Sequence, residues 1–251
     1  MNKSYYISKK KLNITRNRNI IMISTFGESN SGGYGLNTDA TELELSPREC
    51  VQIWDNINND GFEILDVGTN NLLGHAGLIA VRFLRHGWEL ELANRVAQKT
   101  FINDIVYLTK CGQGGSVIAQ WATGQDYWNT LVTRINGSID TLAAQEKTIY
   151  HYGFWSMGIN DGQDGTSAQD FYDGCYDFLL RIKELMPNII VIGCHHPYYY
   201  QSEFTELANN LSWYKNINPP VPVDNVHWNY SQIKANADAM INITSQYFNN
   251  K

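Results

Sequence analysis

Ser29, Asp224 and His227 are residue types that can carry acyl transfer, and each stands in a polar or small-residue loop of this 251-residue chain. Ser29 lies in Phe26-Gly27-Glu28-Ser29-Asn30-Ser31-Gly32-Gly33, directly after the apolar run Ile20-Ile21-Met22-Ile23-Ser24. A serine hydroxyl is a weak nucleophile until its proton is taken, and neutral imidazole does that near pH 7. His227 is the candidate base. Asp224, three residues earlier, can hold the other ring N–H and stabilise the imidazolium as it forms. A tetrahedral oxyanion needs donors already aimed at it. The backbone N–H groups of Ser29 and Gly114 and the side-chain amide of Asn160 are candidates, glycine allowing a close backbone approach.

These residues reach one pocket only if the intervening elements bring them to one edge. Residues 19–25 read as a buried strand and 26–37 as the loop after it. Val51-Gln-Ile-Trp and Phe62-Glu-Ile-Leu flank Asn59-Asp60-Gly61, a β-hairpin pattern preferred over the helix start suggested by Ser46-Pro47-Arg48-Glu49. An amide-rich loop spans 68–77, and the spacing of Leu84, Trp88, Leu92 and Val96 predicts a helix over 78–98, interrupted by Gly87. Strands are expected at 105–108, 148–155 and 188–193, and helices at about 127–145, 167–186 and 231–248. Between them lie the loops carrying Gly114-Gly115-Ser116, Gly158-Ile159-Asn160-Asp161 and Asp224-Asn225-Val226-His227. Strands alternating with helices imply a mostly parallel sheet covered on both faces, and ligands bind at the carboxyl edge of such sheets.

The totals narrow the function classes. A net charge of −6 argues against broad nucleic-acid binding. Lys3, Lys9, Lys10, Lys11, Arg16 and Arg18 precede the first acid, so residues 1–18 are a basic arm: a solvated tail, or the sharper alternative, a dock for an anionic polymer. Residues 19–251 read as a single catalytic domain, long enough to bury a core without disulfides or metals. No apolar stretch has membrane-spanning length and residues 1–18 hold no h-region, which gives a cytoplasmic default. Cys50, Cys111, Cys175 and Cys194 are scattered with no CxxC, and His195-His196 would point opposite ways on extended backbone, so no metal and no cofactor is expected.

Gly27-Glu28-Ser29, the Gly114 loop, Gly158-Ile159-Asn160-Asp161 and Asp224-Asn225-Val226-His227 resemble, in order and over nearly the full chain, the four blocks of the SGNH (GDSL-type) hydrolases. The resemblance implies a three-layer α/β/α sandwich with a flavodoxin-like, mostly parallel sheet. Gly27-Glu28-Ser29-Asn30, with Gly114-Gly115-Ser116 and Trp121, is similar to the sialate O-acetylesterase and carbohydrate acetylesterase branch, which removes acetyl groups from sugar hydroxyls without a metal. Glu28 stands where the superfamily usually carries Asp or Gln. Gly158-Ile159-Asn160-Asp161 follows the general pattern rather than that branch's Gly-Glu-Ser-Asp. Gly114 is preferred to Gly115 as donor because it stands two before the serine.

Candidate substrate contacts are Glu28, Asn71, His75, Gly115 and Trp121. Each has a plainer alternative. Glu28 tunes the nucleophile or makes a structural hydrogen bond; Asn70 and Asn71 brace their loop; His75 is a satisfied structural histidine. Trp121, Trp155, Trp228 and Tyr198 to Tyr200 could stack on a sugar ring, or serve as core or rim aromatics, the plainer reading for most of them. The expectation is a serine esterase acting on an acetylated saccharide through an acyl-enzyme. Its rivals are an acyltransferase between sugar hydroxyls and a non-catalytic carbohydrate-binding protein on the same fold. Oligomeric state is left open by the sequence.

Overall fold

A computed structural model describes residues 19–71, 84–98 and 105–249. The basic arm and His75 lie outside these residues. The strands are β1 Ile20–Gly27, β2 Gly35–Leu36, β3 Arg48–Trp54, β4 Phe62–Leu65, β5 Arg85–His86, β6 Val106–Gly112, β7 Ile149–Ser156, β8 Ile190–Cys194 and β9 Tyr214–Ile217. The helices are α1 Ser29–Gly32, α2 Glu42–Leu45, α3 Trp88–Ala97, α4 Asp126–Ala143, α5 Ile159–Asp164, α6 Ala168–Leu185, α7 Gln201–Asn210 and α8 Tyr230–Asn249.

Seven strands form one sheet in the order β4-β3-β6-β1-β7-β8-β9, parallel throughout except for the β3–β4 hairpin. Parallel strands are buried on both faces and read as continuous apolar runs, which is what Ile20–Gly27 shows, every residue being buried. Side-chain alternation along β1 builds two cores. Met22 and Phe26 face Leu131 and Ile135 of α4, Phe171 and Phe178 of α6 and Phe204 of α7. Ile21 and Ile23 face Trp88 and Leu92 of α3 and Ile233, Met240 and Ile241 of α8. The result is three layers, α/β/α, as expected. Among the described residues no helix is long and apolar enough to cross a membrane.

Three local expectations change. Within the described part of 78–98 the helix begins at Trp88, with Gly87 as its N-cap; Leu84 is exposed, and Arg85–His86 pair as a strand with Gly35–Leu36. The fourfold spacing that seemed to continue one apolar stripe back to Leu84 crosses a cap, where the Glu89 carboxylate accepts from the Gly87 N–H at 2.8 Å and closes the first turn. The aromatic stretch after His196 holds α7, whose Phe204 and Leu207, with Leu211 at its C-cap, fall at helical spacing that the sequence reading passed over, and the short edge strand β9. Val117 to Trp121, whose sequence suggests a turn into a helix, makes only a 3-10 turn, Ile118–Trp121.

Because β1 is central, its end is also the centre of the carboxyl edge, and β6 and β7 deliver their loops to either side. The close approach is set by glycine. Gly27 has φ +114°, and a Cβ there would lie 2.0 Å from the Ser156 carbonyl oxygen. Gly33 has φ +109°, with the Gly87 backbone 2.5 Å from a would-be Cβ. Larger residues at either point would push the Ser29 loop off β7 or off β5.

Candidate active site

β1 ends at Gly27, Glu28 is extended (φ −80°, ψ −164°), and Ser29 opens the one-turn helix α1. That abrupt strand-to-helix turn lifts the Ser29 hydroxyl from the sheet edge, where the residue is 6 % exposed. His227 comes from the loop before α8. Its Nε2 lies 3.1 Å from Ser29 Oγ, across 198 residues of sequence. Its Nδ1 lies 3.4 Å from Asp224 Oδ2. A carboxylate only accepts, so the partners place the ring proton on Nδ1 and leave Nε2 free to accept from the hydroxyl. Asp224 also accepts backbone N–H groups through Oδ1, from Val226 at 2.9 Å and His227 at 2.5 Å, which folds the loop around the carboxylate.

Charge balance favours a neutral imidazole at His227. Burial pushes the His227 pKa down, Asp224 opposes that, and the Arg85 guanidinium adds to it; the net shift is downward. For Asp224, burial would raise the pKa, but the N–H groups of His227 and Val226 outweigh it and the carboxyl is held below its ordinary value.

Hydrogen bonds staple the converging loops together. Gln113 N–H donates to the Gly27 carbonyl at 2.7 Å and Glu28 N–H to the Ser156 carbonyl at 2.9 Å. Asn30 Nδ2 donates to the Val226 carbonyl at 3.0 Å, tying the serine loop to the histidine loop. Asp161 Oδ1 accepts from Ile118 N–H at 2.8 Å, tying the third loop to the second. Behind them, Lys110 at the end of β6 makes a buried ion pair with Glu89 at 2.8 Å.

Glu28 is the hub and not a substrate contact. It is fully buried. Its carboxyl accepts from Asn160 Nδ2 at 3.0 Å, lies 3.4 Å from Ser156 Oγ, and takes a long contact of 3.5 Å from Asn30 Nδ2. With no cation beside it among the described residues, burial raises its pKa to about 8, against the pull of the Asn30 amide, so the group is mainly a neutral acid at pH 7. The Asn160 amide lies between Glu28 Oε2 and the Ser116 carbonyl at 3.1 Å, so both Nδ2 hydrogens are engaged, and donation to an oxyanion requires one to be released. Gly114 is half-buried on the turn after β6, and Gly115 next to it is exposed with φ +73°.

Two further sequence candidates are engaged with other partners. Asn71 is buried, and its amide is saturated by the Arg85 carbonyl, Glu89 Oε1 and the Gly68 N–H, so it braces its loop. Trp121 is core: it packs on Tyr127 and Phe178, and its indole N–H donates to Ser116 Oγ at 3.1 Å. His195 is stacked on Phe204 inside the core, and among the described residues no cluster of His, Cys, Asp or Glu could hold a metal ion.

The sequence reading passed over Tyr34 and Arg85. Both line a cavity of about 230 Å³ beside His227, with Leu36, Asp39, Val223 and Trp228. Their juxtaposition depends on the two-residue pairing of β2 with β5, which no periodicity signals.

No protein-family model matches the chain, and no curated protein matches it in sequence. Solved structures do match. A protein from Arabidopsis thaliana is similar with a TM-score of 0.67 at 17 % identity, over 90 % of this chain and 99 % of that one. A carbohydrate acetylesterase from Xanthomonas citri is similar with a TM-score of 0.53 at 11 % identity, over 88 % of this chain and 55 % of its own. A family two carbohydrate esterase from Clostridium thermocellum, in complex with cellohexaose, is similar with a TM-score of 0.52 at 11 % identity, over 92 % and 66 %. The chain thus spans between half and two thirds of the length of these two esterases. The strand order, the two helical layers and these likenesses together show that this chain shares the three-layer α/β/α fold of these esterases.

Proposed function

We propose that the chain is a serine esterase that removes a small acyl group, acetyl foremost, from a carbohydrate hydroxyl. The observation that carries this reading is the 3.1 Å contact between Ser29 Oγ and His227 Nε2, made by segments from opposite ends of the sequence. The carbohydrate half is supported by the similar carbohydrate esterases and by the polar and apolar mixture lining the cavity beside His227.

In the proposed course, His227 Nε2 takes the Ser29 proton as Oγ attacks the acyl carbon. The oxyanion meets the N–H groups of Ser29 and Gly114, with Asn160 as a third donor once it releases Glu28 or Ser116. The imidazolium then protonates the leaving sugar oxygen, which must sit on the His227 side, where the cavity opens. Water, activated by the same imidazole, attacks the acyl-enzyme and restores Ser29.

Incubation with a panel of acetylated polysaccharides, with released acetate measured, tests the substrate. Acetate release that disappears in Ser29→Ala supports the reading. Transfer of acetyl to an added sugar acceptor, with no free acetate, would make the protein a transferase instead.

A pH dependence follows from the base. His227 must be neutral, and its pKa is lowered. Activity is therefore full above that pKa and is lost on acidification. The acid limb of kcat/KM against pH should have its midpoint below the roughly 6.5 of free imidazole. A limb above that value, or none down to pH 4, would contradict a buried histidine base.

A further inference from the structure

We propose that Tyr34 and Arg85 are positioning residues for His227, holding the imidazole plane and setting its readiness to give up a proton, a task that Asp224 shares only in part. This rests on the esterase reading and deepens it. The Tyr34 and His227 rings are stacked at 3.5 Å between centroids and 7° between planes. The Arg85 guanidinium carbon lies 3.9 Å from the same Tyr34 centroid. Two groups at van der Waals distance from one ring cannot share a face, so the order is Arg85, Tyr34, His227. Arg85 Nη1 also donates to the Tyr34 carbonyl at 2.6 Å, so one side chain fixes both the backbone and the ring of its neighbour. The β2–β5 pairing supports both residues from below.

The carboxylate does less than its place in a triad suggests. Asp224 is 58 % exposed in its side chain and stands 3.4 Å from Nδ1. An exposed pair at that distance is weak, and a triad carboxylate acts by being buried and close. Stacking fixes the ring plane, leaving Asp224 and Ser29 to set the rotation within it.

The charged and titratable groups that face His227 are Asp224 on its own loop, Arg85 on β5, His196 after β8, and Tyr34 and Asp39, which line the same cavity. Asp224 favours the imidazolium; Arg85, and His196 when charged, oppose it. Arg85 has no carboxylate in ion-pair range among the described residues, and its Nε is buried without a hydrogen-bond partner. No direct ion pair therefore offsets its charge among the described residues, although Asp39 and Asp224 line the same cavity. Arg85 also occupies the second face of the Tyr34 ring, whose first face would otherwise be freer to stabilise an imidazolium. Both effects destabilise the protonated base and make it a better acid toward the leaving alcohol.

The test is kcat/KM against pH for hydrolysis of p-nitrophenyl acetate by wild type, Tyr34→Phe, Tyr34→Ala, Arg85→Gln, Asp224→Asn and Ser29→Ala. Tyr34→Phe, which keeps the stack, should stay within about threefold of wild type. Tyr34→Ala should lose about tenfold or more, by the sensitivity of such reactions to small misplacements, and its acid limb should move to higher pH as water reaches the ring. Arg85→Gln should move the limb the same way with a smaller loss of rate. Asp224→Asn should cost less than Tyr34→Ala. If Tyr34→Ala does not fold, as circular dichroism would show, the Arg85→Gln limb decides alone. Unmoved limbs in the Tyr34 and Arg85 variants, with Asp224→Asn carrying the loss and Ser29 still essential, would overturn this inference and leave the esterase standing. Equal turnover by wild type and Ser29→Ala would remove both.

Discussion

Ser29→Ala is expected to lower kcat for p-nitrophenyl acetate by roughly 10⁴-fold or more, with little change in fold stability. The residue is small, sits at the start of a single helical turn, and its hydroxyl has its only described side-chain contact with His227. Its removal therefore deletes the atom proposed to bond to the acyl carbon and disturbs little else. His227→Ala should cost a comparable factor, and the double variant little more than either single one, because nucleophile and base act as a unit. Additive losses would mean that the two side chains work separately, despite their contact.

The second large effect concerns stability. Glu28 has an ordinary pKa near 4.5 when the chain is unfolded and about 8 when buried in the fold. Below 4.5 both states hold the proton and nothing is lost. Between 4.5 and 8 the unfolded chain ionises while the folded one keeps its proton, so stability falls as pH rises. Above about 8 the folded state ionises too and the loss levels off. The full effect is on the order of 5 kcal/mol. Glu28→Gln keeps the shape and can still accept from Asn160, but has no proton to release. Urea midpoints measured from pH 4 to 9 should therefore separate, with the variant increasingly the more stable of the two toward alkaline pH. Asp161, raised to about 6 by burial, adds a slope of the same sign, but to both proteins alike. Parallel curves for wild type and variant would show that Glu28 is ionised in the fold.

Glu28 also shows how far the sequence could be read. Its position beside the nucleophile was plain, but its burial was not, because a carboxylate in a small-residue loop ordinarily faces water. The long apolar strands and the amphipathic helices α4 and α6 were legible, since each repeats its period over enough residues to outweigh noise. The hairpin was legible from Asn59-Asp60-Gly61, which the structure places between β3 and β4. The start of α3 was not, because Gly87 looks like an interruption until Glu89 is seen capping it. Nor was the Tyr34–Arg85 stack, which depends on a bridge of two residue pairs between segments some fifty positions apart. Asn71 read as a sugar contact because amide side chains suit both tasks; only the Arg85 carbonyl, Glu89 and Gly68 around it decide for bracing. Convergence of the four loops was legible as a pattern of order, while the bonds that enforce it, such as Asn30 to Val226, involve backbone atoms that no motif encodes.

Covalent labelling tests most directly whether Ser29 is the activated nucleophile. A p-nitrophenyl phosphonate ester should release one equivalent of nitrophenol, and mass spectrometry of the digested protein should find a single phosphonyl group on Ser29. The label should be absent in Ser29→Ala and slowed in His227→Ala. Ester turnover that continues with no label on Ser29, or with the label on another serine, would contradict the account.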